Sequence, residues 1–184
     1  MGNASGRVFV NVQAQNILAA GVAAGAIPLS FQAQLELANG TAAGSIDLAY
    51  GKTESSIAAS TITSYDLSGS LTDAVGAAVV FARVSLIAIR NNRTTALAYL
   101  DMGPHATNGF GRLGTPTAGF GFWPADIAAD ADQGSIVAPG SWVVLHALAG
   151  VPLTNAASDI LRVTTSAVVG ATNGWDLLIL GTSA

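Results

Sequence analysis

The sequence predicts an all-β protein: a two-sheet β-sandwich of jelly-roll type with an extended N-terminal arm. Three observations lead there. Stretches rich in Val, Ile, Thr and aromatic residues recur along the chain, broken by Gly, Asn and Pro, as in sandwiches and barrels. Segments with helix signals are few. Charge is scarce: seven Lys and Arg and eleven Asp and Glu make up 10% of the 184 residues.

Residues 1–28 read as an arm, and residues 29–184 as the sandwich domain. Val8 to Gln13 alternates and predicts a short strand, with Val8, Phe9 and Val10 its first apolar positions. Asn16 to Ala26, which holds Ile17 and Leu18, is rich in Ala and Gly and reads as a short helix or an extended strap. Small residues let a backbone lie close against another surface.

In the body, Ser30 to Leu37 alternates Phe31, Ala33, Leu35 and Leu37 with polar residues, the pattern of a half-buried strand. Asn39-Gly40 predicts a hairpin turn into a second strand, Ser45 to Tyr50. Ser55 to Leu67 reads as a Ser/Thr-rich strand region, and Ser70 to Gly76 as a loop or helical turn with Thr72 and Asp73 as caps. Ala77 to Ile89 is nearly continuous in apolar residues, so it should be central and covered on both faces. Asn91-Asn92 ends it, and Ala96 to Met102 is expected to return beside it.

Residues 103–134 read as a long loop containing Pro104, Pro116 and Pro124. A loop of this length in a compact domain is usually functional or disordered. Its aromatics, Phe110, Phe120, Phe122 and Trp123, argue against disorder. Further strands follow at Ser135 to Ala138, Trp142 to Leu148, Ile160 to Thr165 and Trp175 to Leu180, with a type II turn at Pro139-Gly140.

The missing charge bears on function. An ordinary domain carries about 25% charged residues. A folded monomer of 18.4 kDa exposes on the order of 8,200 Å², so these charges stand roughly one per 450 Å² rather than roughly one per 180 Å². Either a membrane or neighbouring chains should cover such a surface. The most apolar run, Ile17 to Leu29, contains Gly21, Gly25 and Pro28 and falls short of the about 20 residues of a spanning helix. The strands are too uneven and lack the repeated aromatic girdle of an outer-membrane barrel. A net charge of −4, with Arg90 and Arg93 the only close basic pair, argues against nucleic acid. Ala24-Gly25-Ala26 has the pattern of a signal-peptide cleavage site, but Arg7 and the strand at Val8 make a poor signal segment. Met1-Gly2 lacks the Ser or Thr of a myristoylation motif, since position 6 is Gly6. Burial by partner proteins is the reading that remains.

Catalytic chemistry is thinly supplied, and no enzyme and no cofactor are expected. Cysteine is absent, and the two histidines, His105 and His146, lie in a loop region and an apolar strand. No Gly-x-Ser-x-Gly elbow occurs. Gly51-Lys52-Thr53 resembles the end of a phosphate loop, but Ile46 stands where its first glycine is required. Gly109-Phe110-Gly111-Arg112-Leu113-Gly114 matches the dinucleotide fingerprint in letters, without a strand–turn–helix context. Asp130 and Asp132 before Gly134, with Asp126, form a weak calcium candidate that lacks the other ligands of an EF-hand loop. The sequons at Asn3, Asn39 and Asn92 read as turns or carry no meaning without a signal peptide.

By elimination, contact surfaces should carry function: the aromatic loop with Phe110, Phe120, Phe122 and Trp123, and the arm with Val8, Phe9, Val10, Ile17 and Leu18. Aromatics are favoured interface anchors; equally, the loop aromatics would fold back to cap an open end of the sandwich.

The segments Asp47-Leu48-Ala49-Tyr50-Gly51-Lys52-Thr53, Thr63-Ser64-Tyr65-Asp66-Leu67, Ile136-Val137-Ala138-Pro139-Gly140 and Leu178-Ile179-Leu180-Gly181-Thr182-Ser183-Ala184 resemble small structural proteins of tailed-phage and prophage morphogenesis clusters. The resemblance covers residues 45–184 and excludes the arm. It implies a β-sandwich virion protein, and it supplies no functional residues to carry over. The leading expectation is a capsid decoration (cement) protein. It would be made in the cytoplasm of a bacterial host and bind the major capsid protein on the virion surface. It would self-associate as a trimer and touch neither nucleic acid nor membrane. The alternatives are a tail or head-fibre component whose aromatic loop binds a receptor glycan, and, more remotely, a hydrolase using His105 with an acidic partner.

Overall fold

The computed structural model describes residues 6–17, 26–42, 45–73, 75–110, 134–168 and 173–183. Within them the chain is all-β, with no helix, and thirteen strands are present. No helix among the described residues is long and apolar enough to cross a membrane, which says nothing of β-barrels.

Eight strands build the body. One four-stranded sheet has the order β10 (Ser135–Val137), β9 (Leu100–Pro104), β12 (Ile160–Thr165), β5 (Ile62–Asp66). The other has the order β11 (Trp142–Pro152), β8 (Arg83–Asn91), β13 (Asn173–Thr182), β4 (Leu48–Ser55). All pairings within both sheets are antiparallel. A two-stranded ladder, β6 (Leu71–Thr72) with β7 (Ala78–Val79), lies between β5 and β8 in the chain.

The two sheets face each other across one core. Alternation sends every second residue of a strand inward. In the second sheet the register lines up Leu145, Ile87, Ile179 and Tyr50 as one inward row across four strands. Leu100, Met102, Leu161, Val163, Tyr65 and Val137 meet them from the first sheet within the same apolar cluster. Burying each such aliphatic side chain contributes about 1.5–3 kcal/mol.

The end of the sandwich near Asn91 is closed by polar groups. The Asn91 amide donates to the carbonyls of Ala98 and Val137, at 3.0 and 2.9 Å. Arg93, fully buried, donates to the carbonyls of Ile57 and Ala58. Burial lowers the Arg93 guanidinium pKa from its ordinary value. These side chains supply partners for main-chain carbonyls, of which those of Ile57, Ala58 and Ala98 lie outside the strands.

Outside the body, β1 (Gly6–Ile17) and β2 (Ala26–Asn39) form an antiparallel ribbon with twelve paired positions. The strand expected from Val8 to Gln13 is therefore longer, and the boundary expected after residue 28 falls inside β2. Residues 18–25, with Leu18, lie outside the described residues.

Several local expectations give way to long-range pairing. Asn39-Gly40 does not make a hairpin: β2 meets β3 (Ser45–Ile46) in a two-residue parallel contact. The chain then continues into β4, which pairs with β13. The central apolar run divides into β7 and β8, and β8 sits between β11 and β13. The strand after it, β9, crosses to the opposite sheet instead of returning beside β8. Leu100 and Met102 are fully buried there, so core filling outweighed the short connection. Gly103 and Pro104 belong to β9, which shortens the expected 103–134 loop at its start; residues 111–133 lie outside the described residues. The Pro139-Gly140 turn forms as expected, with Ser141 N donating to Ala138 O at 3.0 Å and Gly140 at a φ of 70°. A type II turn requires positive φ at that position.

Candidate functional site

The outer face of the β11-β8-β13-β4 sheet is built from the residues that alternate with the core row. The register aligns Trp142, Arg90, Asp176 and Thr53 across the four strands. The next row holds Val144, Ala88, Leu178 and Gly51, and the third His146, Leu86, Leu180 and Ala49. An outward face should be polar; here apolar residues occupy its middle.

Part of this face is covered within the chain. Leu37 at the root of the ribbon and Ile46 of β3 pack on Leu86 and Leu180, with Ala88 and Val144 at the margin of the same cluster. Beyond that cover the apolar surface is open: Trp142 is 60% exposed and Leu178 is 40% exposed. Between them lies a shallow depression of about 180 Å³, lined by Ala88, Arg90, Trp142, Asp176 and Leu178. Leu148, further along β11, is 71% exposed.

The polar rim of this surface is organised. Thr53 Oγ1 donates to Asp176 Oδ1 at 2.8 Å. Hydrogen bonds from Asn92 and Thr53, with the charge of Arg90, hold the Asp176 carboxyl below its ordinary range. Desolvation lowers the His146 imidazole pKa, so the ring is neutral at neutral pH and adds no charge to the face.

The outer face of the opposite sheet is different. Asp101 and Arg162 alternate with core residues on β9 and β12, yet both are buried and form a 2.7 Å ion pair. Gly134 backs onto the pair: a Cβ there would run into Asp101 Oδ1 and the Met102 carbonyl. Beside it is a cleft of about 240 Å³ lined by Ser60, Ile62, Tyr99, Thr164 and Ser166.

The residues singled out in the sequence fall into three groups. Phe110 is fully buried in the sandwich core, so it caps the fold and is not an exposed anchor. Val8, Phe9, Val10 and Ile17 lie on β1 of the ribbon. Leu18, Phe120, Phe122, Trp123, Asp126, Asp130 and Asp132 lie outside the described residues. Among the described residues no three His, Cys, Asp or Glu side chains are grouped as a metal site would need. His105 closes a local turn: its Nδ1 contacts Thr107 O at 2.8 Å and Thr107 N at 3.1 Å. Gly109, the first glycine of the fingerprint, bridges to Ile160, and its own Cβ would strike the His105 carbonyl. Its role is close packing.

Trp142 and Leu178 escaped the sequence reading. The signal was there: Trp142 to Leu148 is apolar at odd and even positions except at His146, which a one-sided strand does not require.

Comparison with protein-family models, with curated proteins and with solved structures finds no match.

Proposed function

We propose that this chain is a non-enzymatic structural protein of a tailed-phage virion, a capsid decoration (cement) protein that binds the major capsid protein on the head surface and stabilises it. The observation that carries the reading is the open apolar face around Trp142 and Leu178 on a charge-poor body. Contiguous apolar surface on a folded domain marks an interaction site. Repeated over many copies, burial at roughly 25 cal/mol per Å² stabilises a shell without any chemistry. The strand orders support the finer jelly-roll reading. Numbering the eight body strands in sequence, they run 5-4-7-2 and 6-3-8-1, the interleaving expected of two Greek keys. Jelly rolls serve capsid and lectin domains alike, so the fold alone decides nothing about function. Self-association as a trimer belongs to the same reading.

The test is cosedimentation with undecorated phage heads. Saturable binding that raises the heads' thermal disruption temperature, and that is lost in Trp142→Glu, supports the proposal. Protein that stays in the supernatant at all concentrations overturns it.

A second reading is favoured by one arrangement. Trp142 shares its row with Arg90, Asp176 and Thr53, an aromatic platform with polar groups beside it. That is the chemistry of sugar stacking, as in a receptor-binding tail or fibre component. Glycan-array binding abolished by Trp142→Ala, with no binding to heads, would favour this second reading.

A further inference from the structure

The β1–β2 ribbon has two unlike faces. Its register and the alternation of strand residues put Val8, Val10, Val12 and Ala14 opposite Leu35, Ala33, Phe31 and Leu29 on one face. The other face pairs Arg7 with Glu36, Phe9 with Gln34, Asn11 with Gln32 and Gln13 with Ser30. Asn16 with Ile27 continues the first face, and Gln15 with Pro28 and Ile17 with Ala26 continue the second, so between Val8 and Ala14 one face is apolar while the other is mainly polar. A two-stranded ribbon is marginal in water unless its apolar face is covered. Among the described strands, β1 packs substantially on β2 alone, and β2 otherwise on β3.

The root of the ribbon indicates what covers it. Leu37 belongs to the same ribbon face, opposite Gly6, and it is buried on Leu86 and Leu180 of the outer sheet face. Ribbon-on-sheet contact is therefore already present in cis, over one pair of positions. The rest of the ribbon face, from Leu35 to Leu29, runs on for roughly 20 Å. The rest of the sheet face, around Leu178 and Trp142, stays open.

We infer that the apolar face of the β1–β2 ribbon docks on the open outer face of the β11-β8-β13-β4 sheet of a second copy of this chain. Each copy carries both halves of the contact, and one extends the cluster formed by Leu37. The contact is head-to-tail, so it closes either as a reciprocal pair or as a ring such as a trimer. A two-stranded ribbon about 10 Å wide laid over about 20–30 Å removes on the order of 400–600 Å² counting both partners. Two such contacts per pair give on the order of 800–1,200 Å², the lower end of specific interfaces. The scarcity of charge removes the electrostatic repulsion that would keep copies apart. The inference assigns the Trp142 and Leu178 face to a second copy in place of the capsid contact, leaving any capsid contact to another surface, and it is tested without any capsid.

The experiment measures solution mass by light scattering for four samples. They are the wild type, a ribbon variant (Val10→Asp with Phe31→Asp), a sheet variant (Trp142→Glu with Leu178→Glu), and an equimolar mixture of the two variants. The altered positions lie on the ribbon or the open sheet face, and the thermal unfolding of each variant checks that the body folds. A second pair, Val12→Asp and Val144→Lys, stands in for any variant that does not. The expected result is an oligomeric wild type, two variants at the monomer mass of 18.4 kDa, and a mixture that recovers a one-to-one complex at twice that mass. Only exchange between copies lets two defective faces complement. A monomeric wild type overturns the inference. So does a sheet variant that stays oligomeric, which would point to ribbon-on-ribbon pairing. So does a mixture that remains monomeric, which would place the ribbon on its own sheet.

Discussion

Trp175 Nε1 donates to the Tyr65 hydroxyl at 2.9 Å, joining β13 of one sheet to β5 of the other through the core. The Tyr65 hydroxyl donates onward to Glu54 Oε1 at 3.3 Å, and its ring meets Tyr50 edge-on at 6.4 Å. Burial pushes the Tyr65 pKa well above the ordinary phenol value, so the hydroxyl stays protonated and keeps donating. Trp175→Phe removes the one donor that reaches Tyr65 from the facing sheet and leaves a small void. Its stability should fall by about 2–4 kcal/mol, read as a lower urea midpoint with an unchanged slope. An unchanged midpoint would mean that the bond does not tie the sheets.

The Asp101–Arg162 pair makes an asymmetric prediction. Asp101→Ala or Arg162→Ala alone leaves a buried charge and should cost about 3–5 kcal/mol. Asp101→Leu combined with Arg162→Met replaces both charges by apolar groups and should cost much less than the sum of the single changes. A double-mutant cycle by chemical unfolding reads the coupling. Additive effects would show that the two residues act separately.

Two glycines from rejected motifs should behave in opposite ways. Gly109→Ala drives a Cβ into the His105 carbonyl and the Pro104 ring, and should lower stability by at least about 2 kcal/mol. Gly51→Ala meets nothing within 4 Å and should change stability by less than about 0.5 kcal/mol. Differential scanning calorimetry on the two variants decides; equal effects would contradict the packing role given to Gly109.

Asp176 governs part of the acid limb. Its folded carboxyl is depressed below 3.8 by the Asn92 and Thr53 hydrogen bonds and by Arg90. A depressed acid contributes stability that is fully present above the unfolded value and is lost as pH falls through the folded one. The stability difference between the wild type and Asp176→Asn should therefore hold steady at neutral pH and shrink below pH 3.8. Parallel pH profiles down to about pH 3 would remove Asp176 from the acid transition.

Two strands read from their apolar pattern stood where the sequence placed them, although the longest apolar run, Ala77 to Ile89, divided into β7 and β8. Ile160 to Thr165 is β12 with the expected bounds, and Trp142 to Leu148 lies within β11. Elements judged by their neighbours in the chain fared worse. Asn39-Gly40 has the chemistry of a hairpin turn, but β4 found β13, some 120 residues away, because that pairing buries Tyr50 beside Ile179. Phe110 reads identically as a surface anchor or a core cap, since a lone aromatic in a glycine-rich loop carries no periodicity to tell the two apart.

The sequence by itself determined that the chain is β-rich, short of charge and built from alternating apolar strands. Those properties are local: composition and period-two patterning act within a few residues. Only the tertiary structure decided which strands share a sheet, and so which apolar residues face the core. Trp142 and Leu145 are equally hydrophobic letters on one strand. The register with Arg90, Asp176 and Thr53 turns Trp142 outward, and the register with Ile87, Ile179 and Tyr50 sends Leu145 inward. That choice is made by pairing partners far apart in the chain, where the gain from closing one core outweighs any local preference.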